Sequence, residues 1–149
     1  MYRKILVPLD GSTRAEAILP HVEHIAQSNR AEILLLQVVE PLPVVIGSTE
    51  APPAVFNPDE LARRQQEIER YLAGWEERLR EKGLAARWLV AQGPVVQTII
   101  EVAEREDADL IAMASHGRSG LTRVFYGSVA SGVLQRVDRP LLLIRARDE

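Results

Sequence analysis

A chain of 149 residues fits one domain, 1–149, and would leave two domains too small to bury good cores. Its 46% hydrophobic and 26% charged content, with nine glycines and nine prolines, excludes a fibrous or largely disordered chain. The 18 basic and 21 acidic residues give a formal charge of −3, so no overall positive field gathers nucleic acid or an anionic membrane, and neither is expected as a partner.

The absence of cysteine removes disulfides, thiolate metal ligands and thiol nucleophiles, and it fits a reducing compartment with the cytoplasm as the expected location. The first ten residues reach Pro8 and Asp10 too early for the apolar core of a signal peptide. The apolar stretch Ile33 to Ile46 is broken by Gln37, Glu40, Pro41 and Pro43, short of the roughly 20 apolar residues of a membrane span.

In chain order, Ile5 to Leu9 reads as a buried strand running into the turn Asp10-Gly11-Ser12. Ser12 can cap a helix whose apolar positions Ala15, Ile18, Leu19, Val22, Ile25 and Ala26 share one face, with a kink expected at Pro20. Ile33 to Val39 is a strand covered on both faces. Pro41 to Pro58 holds five of the prolines and has no period, so it reads as a long flexible loop.

Asn57-Pro58-Asp59-Glu60 then opens a helix with Leu61, Ile68, Leu72, Trp75 and Leu79 on one side, ending near Gly83. Leu84 to Ala91 is a third strand, placed nearer an edge by Arg87. Gly93-Pro94 leads into a helix with Val95, Ile99, Val102 and Ala103 inward, its other side carrying Glu101, Glu104 and Glu106. Leu110 to Ala114 is a fourth strand, Gly127-Ser128 caps a last helix, and Leu141 to Ile144 is a fifth strand. Five apolar strands alternating with four helices predict an α/β fold: an open five-stranded parallel sheet with helices on both faces.

Ligands of such sheets sit beyond the carboxyl ends of the strands. Two loops there are rich in chemistry: Asp10-Gly11-Ser12 after the first strand, and Ser115-His116-Gly117-Arg118-Ser119-Gly120 followed by Gly127-Ser128 after the fourth. Glycines admit backbone amides close to an anion, Ser119 and Ser128 add hydroxyls, Arg118 and Arg123 can add charge, and a helix N-terminus adds its dipole. These features describe a phosphate cradle; the same glycines and Ser128 also fit ordinary turns and a helix cap. A P-loop and a G-x-G-x-x-G fingerprint are both absent.

Lys4-Ile5-Leu6-Val7-Pro8-Leu9-Asp10-Gly11-Ser12 and Met113-Ala114-Ser115-His116-Gly117-Arg118-Ser119-Gly120-Leu121 resemble the universal stress protein family, and the resemblance covers essentially the whole chain. The family's nucleotide motif is glycine, two residues, glycine, nine residues, then glycine with serine or threonine. Here Ala114 takes the first glycine's place, followed by Gly117 and, nine residues on, Gly127-Ser128.

The resemblance implies a Rossmann-like sheet of the adenine nucleotide alpha hydrolase type, binding ATP, ADP or AMP without established catalysis. Pro8, Leu9 and Val38 would line the adenine. Asp10 would hold the ribose or approach Mg²⁺ or Mn²⁺ on the phosphates. Met113, Ala114, Ser115, His116, Gly117, Arg118, Ser119 and Gly120, with Gly127, Ser128 and Val129, would wrap ribose and phosphates. It also implies a homodimer through Leu141 to Ile144, where an uncovered apolar edge would invite a second copy.

The leading expectation is a nucleotide-binding stress-response sensor or signalling protein. One alternative is a slow ATP-hydrolysing or phosphoryl-transfer enzyme using Asp10 and His116 around a metal. Another is a nucleotide-free dimer that serves as an interaction module. His116 can meet the nucleotide or simply hold its loop by a hydrogen bond. His21 and His24, on either side of Glu23, read as a solvated helix face rather than metal ligands. Trp75 and Trp88 read as core.

Overall fold

The computed structural model describes residues 1–40, 58–117 and 127–147. It contains five parallel strands, β1 (Lys4–Pro8), β2 (Glu32–Val39), β3 (Ala85–Gln92), β4 (Leu110–Gly117) and β5 (Leu141–Arg147), in the order β3-β2-β1-β4-β5. Around them lie α1 (Thr13–Glu16), α2 (Leu19–Asn29), α3 (Pro58–Glu81), α4 (Val95–Arg105) and α5 (Ser128–Arg136). The expected loop from Pro41 falls outside the described residues up to its last position, Pro58, which begins α3.

Alternation along the strands explains the layers. Ile5, Val7, Ile33 and Leu35 face α2 and α3 and close over Val22, Leu72 and Leu79. Leu6, Leu34 and Leu36 face the other way, over Ile99, Val102 and Val133 of α4 and α5. Both sheet faces are therefore buried, and for that reason the middles of β1 and β2, residues 5–7 and 33–36, read as continuous apolar runs rather than alternating ones. Trp75 and Trp88 pack against the first of these cores, as expected of them.

Three details differ from the sequence reading. The first helical stretch is two helices: α1 ends at Glu16 and α2 starts at Leu19, with Pro20 in the first turn of α2. Proline has no N–H for the Glu16 carbonyl and its ring crowds that position, so the chain ends one helix and begins another instead of kinking. Next, Gly127 rather than Ser128 occupies the cap of α5, and it makes no side-chain cap bond. Finally, Leu61 is 42% exposed, because the apolar side of α3 meets the core only from Ile68 onward.

Arg87 lies on an edge strand, as expected, and there it joins a network. Its guanidinium donates to Glu32 Oε1 at 2.7 Å and to Glu106 Oε2 at 2.9 Å, while Lys4 Nζ donates to the Glu106 carbonyl at 2.9 Å. Glu106, at the end of α4, is thus half-buried, unlike the exposed Glu101 and Glu104 within that helix. A charged, occupied edge also discourages pairing of β3 with another chain.

Arg87 holds the Glu106 carboxyl below its ordinary range. The stabilisation is therefore present above the unfolded carboxylate pKa and is lost as pH falls through the lower folded value. Glu106→Gln is expected to flatten the acid side of the stability curve by less than about 1 kcal/mol, since both partners stay partly in water. Urea midpoints measured from pH 7 down to pH 3 read this; curves that stay parallel would show the pair to be inert.

Candidate functional site

β1 leads leftward in the sheet to β2 and β3, whereas β4 leads rightward to β5. The crevice between the carboxyl ends of β1 and β4 is where an open α/β sheet receives a ligand. A cavity of about 250 Å³ opens there, just below the roughly 300–1,000 Å³ usual for small-molecule sites.

The cavity brings together ten of the residues chosen from the sequence. Pro8, Leu9 and Asp10 enter from the end of β1 and Val38 from β2. Met113, Ala114 and Ser115 come from β4, and Gly127, Ser128 and Val129 from the start of α5. His116 and Gly117 are the last residues of β4, their backbones in register with Ala146 and Arg147 of β5. Arg118, Ser119 and Gly120, like Arg123, lie outside the described residues.

Four wall residues escaped the sequence reading of the site: Ala15 of α1, Val95 and Ile99 of α4, and Ala130 of α5. Their sequence signal is that of ordinary inward helix positions. Only the passage of these helices over the strand ends turns them into cavity wall.

The walls divide by chemistry. Val38, Val95, Ile99, Met113 and Val129 make one part apolar. The polar part begins with Asp10, whose Oδ1 accepts from the Ser12 amide at 2.9 Å and the Ser12 hydroxyl at 2.5 Å. The Ser12 hydroxyl in turn accepts from the Ala15 amide at 3.2 Å, so one short chain of bonds shapes the turn and caps α1. Opposite, the first turn of α5 presents amides with no intrahelical acceptor and the positive end of the helix dipole, with the Ser128 hydroxyl beside them.

Ser115 is buried, and its hydroxyl donates to the Ile144 carbonyl at 3.2 Å, which ties the cavity wall to edge strand β5. Behind α1, Tyr71 of α3 donates to Glu16 Oε2 at 2.5 Å. Burial raises the Tyr71 pKa, the bond to Glu16 and its negative charge raise it further, and the charge of Asp10 adds to the effect. Among the described residues no group of three His, Asp or Glu side chains could hold a metal. His21 and His24 are exposed on α2, and no helix of the described residues is long and apolar enough to cross a membrane.

An open parallel sheet with a cavity at its point of strand reversal defines a Rossmann-like α/β protein. The universal stress protein family matches residues 1–145, and the chain belongs to that family. Universal stress protein MJ0577 of Methanocaldococcus jannaschii is 26% identical over 158 aligned positions, spanning 99% of this chain and 98% of its own. The solved structure of MJ0577 superposes with a TM-score of 0.82 over 100% of this chain and 99% of that one.

Two more distant structures share the fold. A universal stress protein in complex with cAMP has 19% identity and a TM-score of 0.69, covering 98% of each chain. The universal stress protein from Archaeoglobus fulgidus in complex with dAMP has 18% identity and a TM-score of 0.66, covering 96% of this chain and 98% of its own.

Proposed function

We propose that the cavity binds an adenine nucleotide, ATP, ADP or AMP, and that the protein is a cytoplasmic stress-response sensor or signalling protein rather than an enzyme. The observation that carries this reading is the division of the cavity into an apolar slot and a polar rim at a helix N-terminus. A purine is flat and apolar on its faces and suits the slot between Val38, Val95, Ile99 and Met113. Phosphates suit the free amides at Gly127, Ser128 and Val129, where dipole and hydroxyl act together. The cAMP and dAMP complexes of two proteins of this fold support the same ligand class.

Asp10, exposed at the rim, serves the ribose hydroxyls. Among the described residues it belongs to no group of three His, Asp or Glu side chains that could hold a metal. Mg²⁺ or Mn²⁺ would therefore be held chiefly by the phosphates, with Asp10 approaching from the protein side. Gly117, Arg118, Ser119 and Gly120 complete the phosphate side on the family motif. The edge position of β5 supports pairing of a second copy along Leu141 to Ile144, and light scattering at micromolar concentration reads that as a dimer mass.

The test is calorimetric titration of the purified protein with ATP, ADP and AMP, with mass spectrometry of acid-quenched protein for nucleotide that co-purifies. Gly127→Val sets a branched side chain on the cavity wall and is expected to weaken binding at least tenfold. If no adenine nucleotide binds at millimolar concentration, the nucleotide reading fails and the interaction-module alternative gains.

A further inference from the structure

α1 is a single turn, joined to α2 by two turn bonds, from the Ala17 N–H to the Arg14 carbonyl at 3.2 Å and from the Ile18 N–H to the Ala15 carbonyl at 3.4 Å. It ends at Glu16, and only Ala17 and Ile18 separate it from the start of α2 at Leu19. Yet this turn carries Ala15 into the cavity wall, and its cap, Ser12, holds Asp10 in place at the rim. Whatever fixes the far end of α1 therefore helps to fix two parts of the site. One side-chain bond that does so comes from 55 positions away: the Tyr71 hydroxyl of α3 donates to Glu16 Oε2 at 2.5 Å.

The bond is directional as well as short. The acceptor is a carboxylate oxygen, so the tyrosine hydroxyl is the donor. One turn further along α3, the Arg78 guanidinium carbon stands 4.8 Å from the centre of the Trp75 ring, a cation–π contact on the same helix. Tyr71 packs against the core and is not part of the cavity wall, so its hydroxyl acts on the site through α1.

We propose that Tyr71 is a positioning residue for the ligand cavity, acting through its hydrogen bond to Glu16 to hold α1, and with it Asp10 and Ala15, in the geometry that receives the nucleotide. This rests on the adenine-nucleotide reading of the cavity. The Tyr71–Glu16 bond is also a physical connection between the site and the long helix α3. Occupancy of the cavity that stiffens α1 is accordingly felt along α3.

The experiment compares AMP affinity by calorimetry in the unmodified protein and in Tyr71→Phe, Glu16→Ala and Glu16→Gln. Tyr71→Phe and Glu16→Ala are each expected to weaken binding about fivefold, with the double variant no worse than either. Glu16→Gln keeps an acceptor oxygen and is expected to stay within about twofold of the unmodified protein. Hydrogen exchange supplies a second readout: in Tyr71→Phe the α1 amides exchange faster while those of β1 and β2 are unchanged.

A purely structural tyrosine would lower the urea midpoint and leave affinity alone. Equal affinities in Tyr71→Phe and the unmodified protein overturn this assignment but not the nucleotide reading. Failure of the unmodified protein to bind any adenine nucleotide overturns both.

Discussion

Gly93→Ala is expected to destabilise the protein by about 3–5 kcal/mol, the sum of backbone strain and overpacking. Gly93 follows β3 with φ at +142°, a region that side chains rarely enter, and its N–H donates to the Val39 carbonyl at 3.1 Å. A Cβ built there would lie 2.6 Å from Thr98 Oγ1. Thr98 is only 5% exposed and stands between Val95 and Ile99 on α4, so it has little room to withdraw. Any shift that relieves the clash moves α4, two of whose residues line the cavity. Lost stability should therefore come with weakened nucleotide binding.

Two other glycines make the comparison quantitative. Gly83 also has a positive φ, +79°, but a Cβ there meets nothing within 4 Å. Gly83→Ala is expected to cost about 1–2 kcal/mol from backbone strain alone. Gly74 is exposed inside α3 with open space around it, and Gly74→Ala is expected to add about 0.5–1 kcal/mol of stability. Urea denaturation of the three variants reads the series. A Gly93→Ala protein no less stable than Gly83→Ala would mean that Thr98 gives way freely.

Arg139→Ala is expected to cost about 3 kcal/mol, within the range for losing charge-assisted hydrogen bonds to buried carbonyls. Arg139 stands just before β5, where Nη1 donates to the carbonyls of Ala103 at 2.8 Å and Ala108 at 2.7 Å. Those two residues bracket the passage from α4 into β4, so one planar guanidinium pins it to the start of the edge strand. The side chain is 18% exposed, while its neighbour Asp138 is 65% exposed and accepts from Arg139 Nε at 3.1 Å.

Asp138→Ala should therefore change stability by less than about 0.5 kcal/mol. Arg139→Lys should fall between the two, since an ammonium lacks the planar fork of donors. Thermal and urea midpoints check the order. An Arg139→Ala protein as stable as the Asp138→Ala protein would show that water replaces the guanidinium at no cost.

The sheet was legible because both its faces are covered. Burial on both sides writes β1, β2 and β4 as apolar runs, and Arg87 in β3 already marks an edge. The ten cavity residues were legible because they belong to strand ends and one helix start, places where family motif and local chemistry coincide. Ala15, Val95, Ile99 and Ala130 were not, since an inward helix position reads alike whether it meets a strand or an empty slot. Pro20 announced a disturbance, but a kink and a restart have the same local signature, and packing of α2 on β2 decides between them.

The bonds of Arg139 and the pairing of Tyr71 with Glu16 were beyond reach for another reason. Each joins elements far apart in the chain, and no periodicity encodes such a partner. Glu106 misled in the same way: beside Glu101 and Glu104 it looks like one more solvated acid, and only the arrival of Arg87 and Lys4 distinguishes it.

The central place of β1 bears on how the sheet is assembled in time. β1 comes first in chain order and finds β2 early, yet its other neighbour comes much later: the Lys4 amide and the Asp109 carboxylate that clasp β1 to β4 are 105 positions apart. Closing so long a loop has an entropic cost before the pairing returns anything, which makes it a slow step. As the chain is synthesised, β1, β2 and β3 can assemble while one flank of β1 still lacks a neighbour and the face later covered by α4 and α5 stays bare. An unpaired apolar strand of that kind is the hazard that draws chaperones or self-association. Kinetically, the protein is most vulnerable at the strand that ends up best protected.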